Sequence, residues 1–125
     1  MHNLIIKFRR KLLYYRLKYY IKRKKSKILK LDESKYRGIG KTYTLLQLGK
    51  EFQMPVLCPN LITRNNVKKL YSELSTYKVI TPNRLKNNRS SIPVILVDEY
   101  QLLDKKTREY LHRFTYIGVY TSCKN

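Results

Sequence analysis

Gly38, Gly40, Lys41 and Thr42 close the stretch "RGIGKT", and fifty-six positions after Thr42 two acids, Asp98 and Glu99, stand side by side. A glycine turn that runs into a helix lets several backbone N–H groups, and the positive end of the helix dipole, converge on phosphate oxygens. A lysine placed next reaches the terminal phosphates, and a Thr hydroxyl holds magnesium. The adjacent acids supply the complementary half: Asp98 for the metal's water shell, Glu99 to orient and deprotonate an attacking water. The expected ligands are ATP and Mg2+, with Ser34, Lys35, Gly38, Ile39, Gly40, Lys41, Thr42 and Tyr43 around the phosphates and Thr42 and Asp98 at the metal. One position departs from the pattern GxxxxGK[ST], because Lys35 stands where the opening glycine belongs. The plain alternatives are a glycine turn that only caps a helix and a pair of surface acids. The second is weakened by scarcity, since the chain has eight acids and these two end its most hydrophobic run, "VILV".

Such a site needs a strand before the loop, a helix after it, and a second strand that delivers the acids at its carboxyl end. Short apolar runs separated by helical stretches provide these from residue 27 onward. Strands are expected at 27–31, 54–60, 77–83 (broken by Pro82), 92–100 and 116–122, and helices at about 40–52, 61–74 and 105–114. The run at 92–100 is apolar on both faces, as a central parallel strand requires. Strands alternating with helices predict an α/β fold: a three-layer parallel sheet of about five strands with right-handed crossovers.

A chain of 125 residues is the size of one domain. The expected division is an arm over 1–26 and a core over 27–125. Residues 1–30 hold twelve of the 28 Lys and Arg and none of the acids, so the net charge of +20 is concentrated there. Part of that charge follows from a Lys-, Asn-, Tyr- and Ile-rich composition without alanine, as A/T-rich coding produces. Ile5, Phe8, Leu12, Tyr15 and Tyr19 recur at steps of three and four, which predicts one basic amphipathic helix. Its apolar stripe packs on the domain, its cations meet nucleic acid, or it lies on a membrane surface. Arg9, Arg10, Lys11, Lys22, Arg23 and Lys24 are its candidate nucleic-acid contacts. No apolar run is long enough for a transmembrane segment, and charges interrupt the start where a signal peptide would be apolar, so a cytoplasmic protein is expected. Cys58 and Cys123 lack metal-ligand spacing and are expected as free thiols.

"GIGKT", "VLCPN", "VITPNRL", "LVDEYQ" and "YIGVYTS" stand in the order found in the first RecA-like core of superfamily 2 helicases. The chain also resembles the ATPase domain of phage DNA-packaging proteins, whose loops often depart from the opening glycine. The resemblance spans residues 27–122 and implies a P-loop ATPase with Walker A at Lys41 and Walker B at Asp98, in a helicase-like or packaging role. It implies that Glu99 is the catalytic carboxylate, that Gln101 senses the γ phosphate, and that Arg37 stabilises charge on the transferring group. Arg84 becomes a candidate phosphate-backbone contact, and DNA a more natural polymer than RNA. The family closes its site with a second lobe and a distant arginine, so a homo-oligomer or partner protein is expected to complete it; if viral, it acts in the host cytoplasm. The competing reading is a basic nucleic-acid-binding or assembly module on a degenerate P-loop fold.

Overall fold

The computed structural model describes residues 2–32, 40–60, 64–65, 69, 79–87 and 94–122. Helix α1 (His2–Arg23) leads into strand β1 (Lys27–Asp32), and helix α2 (Lys41–Phe52) into β2 (Val56–Leu57). Then come β3 (Val79–Ile80), α3 (Pro82–Asn87), β4 (Val94–Val97), a 3-10 turn (Tyr100–Leu102), α4 (Lys105–Leu111) and β5 (Thr115–Ser122). The strands form one sheet in the order β1-β5-β4-β2-β3, with every neighbouring pair parallel. The chain is α/β with a five-stranded parallel sheet and an amino-terminal helix, as its alternation of runs predicts.

The alternating side chains of the strands feed two cores. Leu29, Leu31, Val56, Val94, Leu96, Ile117 and Val119 pack with Leu45, Leu46 and Leu48 of α2 on one face. Leu57, Ile80, Ile95 and Val97 pack with Leu85 and Leu111 on the other. β4 is buried at all four positions, which explains its unbroken apolar run. Gly118 lets β5 approach β4, because a Cβ there would lie 2.1 Å from the Val97 carbonyl oxygen.

The structure decides against the first of the three readings of the α1 stripe, packing on the domain: Ile5, Phe8, Leu12, Tyr15 and Tyr19 are all exposed. Leu13, Leu17 and Ile21 are buried instead and belong to the same core as α2 and the sheet. At 3.6 residues per turn these two sets lie on opposite sides of the helix, so the sequence contains two apolar stripes where one was read. The strand expected over 77–83 is limited by Pro82, which opens α3 rather than merely ending a strand. Proline suits a first helical position, since its fixed φ is helical and its missing N–H would have no partner there; the Leu85 N–H donates to the Thr81 carbonyl at 3.0 Å. The strand expected at 54–60 shortens to two residues; within 92–100 the strand is Val94–Val97, and the two acids stand at its carboxyl end as expected. Most of the helix expected over 61–74 lies outside the described residues.

Candidate functional site

β1, β5 and β4 lie side by side, and the segment leaving the carboxyl end of β4, the last residues of β5 and the start of α2 meet at one edge of the sheet. Gly40 caps α2 with φ 85° and ψ 47°, a left-handed conformation that glycine adopts without steric cost. Its carbonyl accepts from both the Thr44 N–H and the Thr44 hydroxyl, each at 2.9 Å, which anchors the first turn. Lys41 and Thr42 are therefore the first two residues of a twelve-residue helix, where the unpaired N–H groups of its first turn collect.

The Thr42 hydroxyl donates to Asp98 Oδ2 at 2.9 Å, joining two residues 56 positions apart. Asp98 is 1% exposed, and its second oxygen, Oδ1, is buried with no hydrogen-bond partner. Burial pushes this carboxyl up to about 6, against the lowering effects of the Thr42 hydroxyl and the Lys41 charge. A buried carboxylate with an unpartnered oxygen is costly unless a cation joins it. Among the described residues no three His, Cys, Asp or Glu side chains converge as a metal cluster. A hard cation that keeps several waters and takes phosphate oxygens needs only one or two protein ligands, and Thr42 with Asp98 fits that demand.

Glu99 follows in a left-handed conformation, φ 54° and ψ 54°, unusual for a residue with a Cβ. Gln101 donates to Glu99 Oε2 through its amide nitrogen. The amide oxygen of Gln101 accepts from the Thr121 N–H at 3.0 Å. Arg108 holds this turn from below, donating to the Gln101 carbonyl at 2.9 Å. A continuous polar chain thus runs from Glu99 through Gln101 to β5. The family resemblance implies a phosphate-sensing role for Gln101; in the structure its side chain ties Glu99 to the backbone of β5.

Arg10, a candidate nucleic-acid contact in the sequence, lies at the glycine turn. A Cβ on Gly40 would come within 3.1 Å of Arg10 Nε, and the guanidinium stands 5.7 Å from the centre of the Tyr43 ring. No sequence signal marks this approach, because it depends on how α1 crosses α2. Arg9 is half-buried, Lys11, Lys22 and Lys24 are exposed, and Arg23 stands 5.0 Å from the Tyr19 ring. Arg84 is exposed on α3. Ser34, Lys35, Arg37, Gly38 and Ile39 lie outside the described residues. Cys58 is buried with a free thiol pushed up to about 12, chiefly by burial, so it is a protonated core side chain at neutral pH.

Behind Tyr100, on the other face of β1 and β5, an open cleft of about 350 Å³ is lined by Tyr100, Tyr116, Tyr120, Lys27 and Lys30 among others. The rings of Tyr100 and Tyr116 are nearly parallel with centres 6.3 Å apart. Comparison with protein-family models, with curated proteins and with solved structures gave no match.

Proposed function

We propose that the protein is a RecA-like P-loop ATPase that acts on nucleic acid. The observation that carries this reading is the 2.9 Å pairing of Thr42 with Asp98 at the start of a glycine-capped helix, beside a buried carboxylate oxygen without a partner. Bound Mg2+ would offset charge on the phosphates and the leaving oxygen. The chain's own residues do the rest. Lys41 and the first N–H groups of α2 hold the β and γ phosphates, and Thr42 and Asp98 hold the metal. Glu99 orients and deprotonates the attacking water, and Gln101 keeps that carboxylate in place. Arg10 adds a cation at the glycine turn, and Arg37 is the loop's own candidate for the same task.

The nucleic-acid part rests on the charge of +20 and on the cleft behind Tyr100, where aromatic faces and lysines suit stacked bases and phosphates. Tyr100 lies between Glu99 and Gln101 in sequence, so a ligand in that cleft touches the turn that carries the catalytic carboxylate.

The test is thermal stabilisation by Mg-ATP, followed by ATP turnover with and without DNA or RNA. Lys41→Ala should abolish the stabilisation, and Glu99→Gln should keep it while lowering turnover by at least about a hundredfold, the lower range for a positioned base. Arg10→Ala should weaken nucleotide affinity by roughly tenfold or more, as expected for one charge-assisted hydrogen bond. Wild-type stabilisation that survives in Lys41→Ala would sink the reading. Stabilisation without any turnover, with DNA affinity indifferent to ATP, would identify the binding module instead.

A further inference from the structure

The outer face of α1 carries Leu4, Ile5, Phe8, Leu12, Tyr15 and Tyr19, from 46% to 69% exposed, along about 22 Å of helix. Scattered apolar side chains on a surface need no explanation, but a contiguous stripe over four turns does. The inner face of the same helix is already committed to the core through Leu13, Leu17 and Ile21, so the outer stripe is surplus to folding. Exposed cations border it on both sides. Lys7, Lys11 and Lys22 lie along the edge shared with Leu4 and Tyr15, and Arg16 and Arg23 along the edge shared with Ile5 and Leu12. The helix contains no acid.

Three occupants could cover such a face, and charge separates them. A second copy would bring an identical acid-free helix against this one, setting Lys and Arg opposite Lys and Arg. A nucleic acid would satisfy the cations, yet its phosphate backbone offers nothing to Leu4, Ile5, Phe8 and Leu12. An anionic lipid surface satisfies both sets, since acyl chains take the aliphatic and Phe side chains while headgroups take the flanking cations. Tyrosines sit well at headgroup level, and Tyr15 and Tyr19 occupy the end nearer the core.

We propose that α1 docks the protein on an anionic lipid surface, its axis in the interfacial plane and its Leu4-to-Leu12 portion inserted. The helix lies on the bilayer and does not cross it, in keeping with the lack, among the described residues, of any helix long and apolar enough to span. This docking is independent of the nucleotide site, because Arg10 and the residues facing α2 point the other way.

The test is co-sedimentation of the full chain with phosphatidylcholine vesicles, with and without phosphatidylglycerol. Binding is expected to require phosphatidylglycerol and to weaken with salt. The double variant Phe8→Ser/Leu12→Ser, which alters exposed positions only, should keep the wild-type melting temperature and lose at least tenfold in vesicle affinity, a minimum for two apolar side chains leaving an acyl environment. Equal binding by the double variant, or binding to neutral and anionic vesicles alike, would overturn the proposal. So would absence of vesicle binding accompanied by a dimer that the double variant dissolves, or by a loss of duplex-DNA affinity in that variant, which would assign the face to a second copy or to nucleic acid.

Discussion

Asp98 is a buried acid whose charged form the fold itself disfavours. Its carboxyl is raised from an ordinary value of 3.8 to about 6 because burial penalises the charged form. An acid whose folded value is raised binds its proton more tightly in the folded state, so stability falls as pH rises. The penalty is absent below about 4 and complete above about 6, and a shift of this size corresponds to about 3 kcal/mol. Metal-free, nucleotide-free protein is therefore expected to lose stability between those pH values, measured by urea denaturation. Glu51 and Asp104 carry lowered values and act in the opposite direction, so the difference between wild type and Asp98→Asn isolates the effect. No difference in slope between the two proteins would show that Asp98 is not the buried, unpaired group described above. Glu99, one residue on, stores a separate cost in its left-handed backbone, of order 1 kcal/mol or more. The Gln101 hydrogen bonds hold it there.

At the scale of elements, α1 and α2 form the joint on which the site depends. α2 carries Lys41 and Thr42 at its start, and Leu45, Leu46 and Leu48 seat it against the sheet and α1. At the far end of the joint Tyr14 donates to Glu51, and Lys18 pairs with the same carboxylate at 3.3 Å. That pairing lies at the surface, partly exposed to solvent, and contributes little to stability. The burial of Leu17, fully enclosed between the helices and the sheet, contributes far more. Leu17→Ala should cost about 2–5 kcal/mol, the range for a buried leucine whose cavity only partly collapses. The measurement is a shift of the urea midpoint at unchanged slope. A cost below 1 kcal/mol would mean that α1 does not pack as described.

The whole molecule carries +20 on 125 residues, with 28 Lys and Arg against eight acids. Self-repulsion of this kind opposes compaction and is screened by salt. The melting temperature should therefore rise as ionic strength increases from about 0.01 M to 0.15 M, where the screening length falls from about 30 Å to about 8 Å. A flat or falling curve would show that the charges are paired in ways other than those seen. The same charge is spread over separate places. Cations stand at the glycine turn, in the cleft behind Tyr100 and along the outer edges of α1, and the two proposals above would give each place its own anion: a triphosphate, a nucleic acid and a lipid headgroup.

What the sequence determined by itself was whatever depends on local spacing. The alternation of short apolar runs with helical stretches predicted a parallel α/β sheet, because side-chain period and strand burial are local properties of the chain. "GIGKT" and "VDEYQ" named Lys41, Thr42, Asp98, Glu99 and Gln101 as one group, since glycine turns and strand ends carry their own signatures. Which of two opposite stripes on α1 would be buried could not be read, because both have helical spacing and only the shape of α2 and the sheet chooses Leu13, Leu17 and Ile21. Tertiary structure alone decided the order β1-β5-β4-β2-β3, the passage of Arg10 over Gly40, and the tie from Gln101 to Thr121. Each joins groups far apart in the chain, where spacing carries no information and packing settles which surfaces meet.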